Sequence, residues 1–147
     1  MTKAEIVKKY FEKDEFVKGQ DIEILEISAG QVCVGAKISP KHLNANGCVQ
    51  GGMLYTVADF AFAVLGNYLH PATVTQSGKI DYIRAAYTTS LTAIATETAR
   101  AGHTAISQVI VYDDQGQAVC VCNFNGFVKD LPFEEWTKKI TATGEEK

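Results

Sequence analysis

Gly51-Gly52-Met53-Leu54-Tyr55-Thr56-Val57-Ala58-Asp59-Phe60-Ala61-Phe62-Ala63-Val64-Leu65 is a Gly-Gly pair opening an apolar helical run that holds one charged side chain, Asp59. A helix apolar on every face is a buried helix. A carboxylate buried without a partner costs several kcal/mol even after its surroundings relax. Asp59 is therefore either paired in the core or kept for chemistry.

Outward from this helix, the preceding stretch Ser39 to Gln50 is a polar loop rich in turn-forming residues. Before it, Ile22–Ile27 and Val32–Ile38 alternate around the turn Ser28-Ala29-Gly30-Gln31 and predict a hairpin. An amphipathic N-terminal helix is expected over about residues 2–13. On the other side, Gly66-Asn67 is the expected helix end. Four β-rich runs follow, Thr73–Ile83, Leu91–Ala99, Thr104–Tyr112 and Ala118–Val128, separated in part by the turns Arg100–His103 and Asp113–Gly116. They read as a meander of long strands. Leu131 to Ile140 can form a last short helix, and about 141–147 is expected to be a frayed tail.

The whole chain of 147 residues fits one domain, and it needs no disulfide or metal to fold. Its composition, 46% hydrophobic and 21% charged with a formal net charge of -3, is that of a soluble globular protein without a basic footprint for nucleic acid. The N-terminus carries charges of both signs and lacks the pattern of a secretory signal. The longest apolar run falls short of the ~20 residues that span a bilayer. These features predict a cytoplasmic protein with neither a membrane nor a nucleic acid as partner. Cys33, Cys48, Cys120 and Cys122 match no paired C-x-x-C spacing and are expected to be reduced core thiols. No metal and no cofactor is expected.

A helix apolar all round must be enclosed, and long strands are the only material available to enclose it. The expected class is α+β, an antiparallel sheet wrapped around one long central helix. The stretch His42-Leu43-Asn44-Ala45-Asn46-Gly47-Cys48-Val49-Gln50-Gly51-Gly52, with Asp59 in the helix and Ile80-Asp81-Tyr82-Ile83-Arg84 in a later strand, resembles the signature of the hotdog-fold thioesterases of the phenylacetic-acid-degradation (PaaI-type) group. The resemblance extends from about Ile22 to Lys129. It departs at Gln50, where that group commonly has His.

Thioester hydrolysis needs a donor for the carbonyl oxygen that becomes negative, and a carboxylate that activates water or attacks the carbon. A glycine opening a helix offers an N–H unpaired within the helix at the positive end of its dipole, so Gly51 is the expected oxyanion donor and Asp59 the expected carboxylate. Eight residues separate them, roughly 12 Å at ~1.5 Å per residue. One carbonyl meets both only when a second subunit lays its helix antiparallel, which predicts a homodimer with two sites. The resemblance implies the same arrangement. A tetramer as a pair of dimers, with a further interface at the strand that starts near Leu91, is the other assembly expected.

The resemblance also places Asn44 in the site, where its amide can orient the carboxylate, water or substrate. A loop cap is the alternative reading for Asn44. Gln50 can donate a hydrogen bond to a carbonyl but cannot carry a proton near neutral pH. His42 is expected to be a solvated loop residue, and Cys48 lacks the base that a thiol nucleophile requires. By resemblance, the pantetheine arm of an acyl-CoA substrate runs past Thr75, Ser77 and Tyr82, and its nucleotide lies near Arg100, Gly102 and His103. Arg84 and Lys129 are further cations for its phosphates, and Thr75 or Gln76 could hold the attacking water. Tyr55, Phe60 and Phe62 could line an acyl pocket or belong to the core. The same residues also admit a non-catalytic acyl-CoA-binding or regulatory module, and an enoyl-CoA hydratase or dehydratase, which would need a titratable His beside an acid.

Overall fold

The structure, a computed structural model, describes residues 1–145. Its central helix α3 (Gly51–Leu69) starts where Gln50 accepts the Gly52 and Met53 N–H groups on its side-chain oxygen, capping donors that the helix cannot satisfy itself. Eleven of its residues are buried, from Met53 to Asn67. The helix runs past Gly66-Asn67, the expected end. Asn67 stays helical because its side chain is committed to the next strand: Nδ2 donates to the Ala63 and Thr73 carbonyls, and Oδ1 accepts the Thr73 N–H. Pro71 follows two residues after Leu69 and cannot continue the helix.

One six-stranded antiparallel sheet encloses this helix in the order β1-β2-β4-β5-β6-β3. The strands are β1 (Ile22–Ile27), β2 (Val32–Lys37), β3 (Thr73–Tyr82), β4 (Ser90–Ala101), β5 (Thr104–Tyr112) and β6 (Ala118–Val128). The expected hairpin is β1 with β2, and β4, β5 and β6 form the expected meander. The first of the long strands departs from that meander. After β2 the chain crosses the sheet as α3 and reaches the far edge, so β3 pairs with β6 and never with β4.

The inner faces pack on α3. Val32 and Val34 of β2, Ala93 and Ala95 of β4, Val109 and Val111 of β5, and Cys120, Cys122 and Phe124 of β6 are buried in one cluster with Val57, Ala61, Phe62 and Leu65. Phe62 stacks on Phe124 with ring centroids 5.1 Å apart. Burying one such side chain contributes about 1.5–3 kcal/mol. Phe60 and Phe62 are thus core residues, at 5% and 1% exposure. His70 at the C-terminal end of α3 meets Glu97 of β4 at 2.7 Å and ties the helix end to the sheet.

The N-terminal helix expected over about 2–13 is α1 (Lys3–Phe11), and an additional single turn, α2 (Glu15–Lys18), follows it; each is capped by an oxygen side chain, Thr2 and Asp14. The last helix, α4 (Phe133–Glu145), covers most of the stretch expected to fray. Glu146 and Lys147 of that expected tail lie outside the described residues.

Candidate active site

The N-terminus of α3 forms one wall of a groove of about 590 Å³ that brings together Asn44, Gln50, Gly51, Tyr82 and Arg84. Among the described residues, the Gly51 N–H has no partner, while the two N–H groups after it are held by Gln50. The helix therefore presents one open donor at its positive end. The Tyr82 hydroxyl donates to the Gly51 carbonyl at 3.0 Å. A Cβ at position 51 would lie 2.9 Å from the Tyr82 Oη, so any larger residue would have to push the tyrosine hydroxyl off the Gly51 carbonyl.

Gln50 divides its amide. Oε1 caps the helix, which fixes the orientation of the group and leaves Nε2, a two-hydrogen donor, without a partner among the described residues. Asn44 is occupied differently. Its Oδ1 accepts the Asn46 and Cys48 N–H groups at 2.9 and 3.3 Å, so it caps the loop, and its Nδ2 meets only the Cys48 Sγ at 3.4 Å. A donor held by a thiol alone is weakly held.

His42 is not the solvated loop residue expected from its sequence context. It is 2% exposed, and its Nδ1 accepts the Ser39 N–H at 3.1 Å. That contact puts the proton on Nε2, which has no partner. The 3-10 turn Pro40–His42 folds the ring inward, and the His42 carbonyl accepts the Gln50 N–H at 2.8 Å. His42 thus braces the start of α3.

Asp59 lies two turns farther along α3, facing β3. Burial pushes its carboxyl above the ordinary carboxylate range; a hydrogen bond from the Thr75 Oγ1 to Oδ1, at 2.9 Å, opposes that rise, and Asp14 adds a smaller upward push. Among the described residues Oδ2 has no partner. Thr75 is the anchor of the carboxylate. Beyond Thr75 the register of β3 against β6 slips, and Gln76 sits in the resulting bulge ahead of Ser77. Burial first, and the Asp59 charge second, raise the neighbouring Tyr55 hydroxyl.

The structure does not bring all predicted residues together. Asn44, Gln50, Gly51, Tyr82 and Arg84 share the groove, while Asp59, Thr75, Gln76 and Ser77 form a second group along α3 and β3. Arg100, Gly102 and His103 form a third, at the β4–β5 turn. There Arg100 donates to the Gly102 carbonyl and pairs with Asp130 at 3.0 Å, and His103 stacks on Phe127. The two arginines differ in their availability. Arg84 is held by neutral oxygens, the Ala118 carbonyl and the Gln117 side chain, and keeps its net charge beside the groove.

No family model matches the chain. Over 112 residues, 76% of this chain and 80% of the relative, it is 27% identical to the acyl-coenzyme A thioesterase PaaI of Escherichia coli K12. Over 85 residues, 57% of this chain, it is 33% identical to an Archaeoglobus fulgidus protein that bears the name of an esterase, of whose length the chain spans 55%. The structure of E. coli PaaI superposes with a TM-score of 0.81 at 25% identity, covering 86% of this chain and 93% of PaaI. A protein of Streptococcus pneumoniae TIGR4 described as a hypothetical thioesterase, solved with coenzyme A, superposes with a TM-score of 0.76 at 27% identity, covering 83% of this chain and 96% of its own.

Proposed function

Because the chain belongs to the hotdog-fold thioesterases of the phenylacetic-acid-degradation (PaaI-type) group, we propose that it hydrolyses acyl-CoA thioesters to the free acid and coenzyme A at a site shared by two subunits. The observation that carries this reading is the single open N–H of Gly51 at the head of a helix that bears a destabilised carboxylate, Asp59, two turns on. The first is suited to a developing oxyanion. The second has a raised proton affinity, which suits a base working nearer neutral pH.

In the proposed reaction the thioester oxygen accepts the Gly51 N–H and the Nε2 hydrogens of Gln50. Asp59 of the other subunit, anchored through Oδ1 by Thr75, takes a proton from water with Oδ2. The water oxygen attacks the carbonyl carbon, the C–S bond breaks, and the thiolate leaves with the proton. Asn44 shapes the loop beside the carbonyl, and Tyr82 holds the Gly51-Gly52 peptide. Arg84 is the cation best suited to the phosphates, since Arg100 is already neutralised by Asp130. Coenzyme A bound to the pneumococcal relative supports the substrate class.

The two-subunit site is supported by β3. It is a ten-residue edge strand whose residues 74–79 are exposed, and a long open edge is a template for a second strand. The opposite edge, β1, is shorter, interrupted between Ile24 and Glu26, and carries Glu23 and Glu26. Pairing two copies through β3 about a two-fold axis would set the α3 helices antiparallel, Gly51 of one near Asp59 of the other.

The test is release of free coenzyme A from acetyl-, hexanoyl-, decanoyl- and phenylacetyl-CoA by wild type and Asp59→Ala. Turnover by wild type that falls at least 100-fold in the variant is expected, and a variant within about threefold, ~0.65 kcal/mol of barrier, would remove Asp59 from the chemistry. Subunit sharing is read by mixing Asp59→Ala with Gly51→Val, each inactive alone. Random reassociation makes half the dimers mixed, each with one intact site, so about one quarter of wild-type activity returns. Sites confined within one chain would return none.

A further inference from the structure

The helices α1 and α4 lie outside the stretch from about Ile22 to Lys129 that carries the family signature, yet they pack on each other beside the catalytic carboxylate. Tyr10 of α1 meets Trp136 of α4 with ring centroids 4.7 Å apart, and Phe11 meets Phe60 of α3 edge-on at 5.7 Å. Between these helices, α3 and the start of β3 is a cavity of about 460 Å³, within the ~300–1,000 Å³ range of small-molecule pockets. Tyr10, Phe11, Ala63, Thr75, Leu131 and Trp136 line it.

Two of these residues locate the cavity relative to Asp59. Thr75 holds the Asp59 carboxylate, and Ala63 lies one helical turn beyond Asp59, so the two share a face of α3. The cavity thus opens directly past the proposed base, on the side away from the N-terminus of α3. Its wall offers little to a polar ligand. Asn67 also lines it, but both ends of its amide are committed to Ala63 and Thr73. Lys129 and Lys139, both exposed, also line it.

We propose that this cavity is the acyl subsite of the enzyme, and that its aromatic cap, built by Tyr10, Phe11 and Trp136, selects uncharged apolar acyl groups over acetyl. The proposal rests on the thioesterase reading for its substrate. With the thioester carbon at Asp59 and the CoA arm leaving toward Arg84, the acyl group has this cavity ahead of it. Each methylene moved from water into such a site favours binding, so successive carbons are rewarded until the cap is reached. The two elements outside the common signature would then set the substrate range of this chain.

Trp136 is the single tryptophan of the sequence and reports the cavity without any reaction. The experiment titrates wild-type protein with S-decyl-coenzyme A, a thioether that cannot be hydrolysed, and with free coenzyme A, reading tryptophan emission. A saturable change with the first and none with the second is expected; no change at a concentration where S-decyl-coenzyme A binding is established by calorimetry would overturn the proposal. Ala63→Leu, which narrows the cavity, is expected to lower the decanoyl-to-acetyl ratio of kcat/KM at least tenfold. An unchanged ratio would overturn it. Should Ala63→Leu fail to fold, Tyr10→Ala widens the same cavity and is expected to move the ratio the other way for acyl groups longer than decanoyl. Absence of hydrolysis by wild type would defeat the thioesterase reading, while the emission titration would still report on the cavity.

Discussion

Gln50 is the departure from the signature that the sequence resembles, and its two amide atoms have separate tasks that substitution can separate. Oε1 caps Gly52 and Met53, and Nε2 is the free donor beside Gly51. Gln50→Ala removes both. Loss of an N-cap costs about 1 kcal/mol, which for a domain of this size lowers Tm by about 2–4 °C. Loss of one oxyanion donor costs ~10²–10³ in kcat. Gln50→Glu keeps an acceptor for the two N–H groups and adds a negative charge at the positive end of α3, worth about 0.3–1 kcal/mol in favour of the fold. It deletes the donor and sets a negative charge against the oxyanion. The expected pattern is a Tm at or above wild type for Gln50→Glu, a Tm 2–4 °C lower for Gln50→Ala, and kcat reduced at least ~100-fold in both. Thermal melts and coenzyme A release on the same preparations decide it. Gln50→Glu turning over within about threefold of wild type, ~0.65 kcal/mol, would refute the donor role. A Tm drop in Gln50→Glu equal to that in Gln50→Ala would refute the cap.

Thr75→Val removes the hydrogen bond that holds the Asp59 carboxyl down, so burial acts unopposed and the carboxyl titrates at higher pH. A base is active only when ionised, and the acid limb of kcat/KM should therefore move to higher pH; an unmoved or lower limb would count against Asp59 as the base. Gly51→Ala places a methyl 2.9 Å from the Tyr82 Oη, and such overpacking costs about 1–3 kcal/mol. Gly51→Ala with Tyr82→Phe should lose less stability in denaturant titrations than the sum of the two single changes, because the atom that clashes is gone; strict additivity would show that the two residues do not press on each other.

Much of the fold was legible because its signals are local. The unbroken apolar run from Met53 to Leu65 announced a buried helix, and the alternation in β1 and β2 announced a hairpin. The position of β3 was not legible, since local alternation says that a strand exists and is silent on which strand it pairs with. The helix end was misread at Gly66-Asn67 because the Asn67 amide closes on Thr73, a contact across the helix–strand corner that no single-position preference contains. The candidate site divides in the same way. Gly51 and Asp59 follow from the contradiction between an apolar helix and an acid, and Thr75 was named without its role as the anchor of Asp59. His42 was placed in water because its neighbours are polar, whereas the 3-10 turn carries it inward. The cap by Gln50 had no strong sequence signal, since Gln is not among the residues favoured at that position.

The raised proton affinity of Asp59 belongs to the isolated chain, and the proposed pairing changes it in a direction that physics specifies. Its largest cause is burial, against which the chain supplies one hydrogen bond from Thr75. An antiparallel partner would bring the open N–H end of its own α3 toward this carboxylate, and a helix N-terminus favours a nearby anion by about 0.3–1 kcal/mol, up to ~2 where partly buried. The partner would also bury both groups further, which disfavours the anion. The dipole acts over the first turn only, and it favours the full charge of the carboxylate more than the partial charge of a thioester oxygen. A site divided between two copies of one helix would therefore set the strength of the base by two opposed effects of the partner, which a donor and carboxylate roughly 12 Å apart on a single rigid helix cannot do.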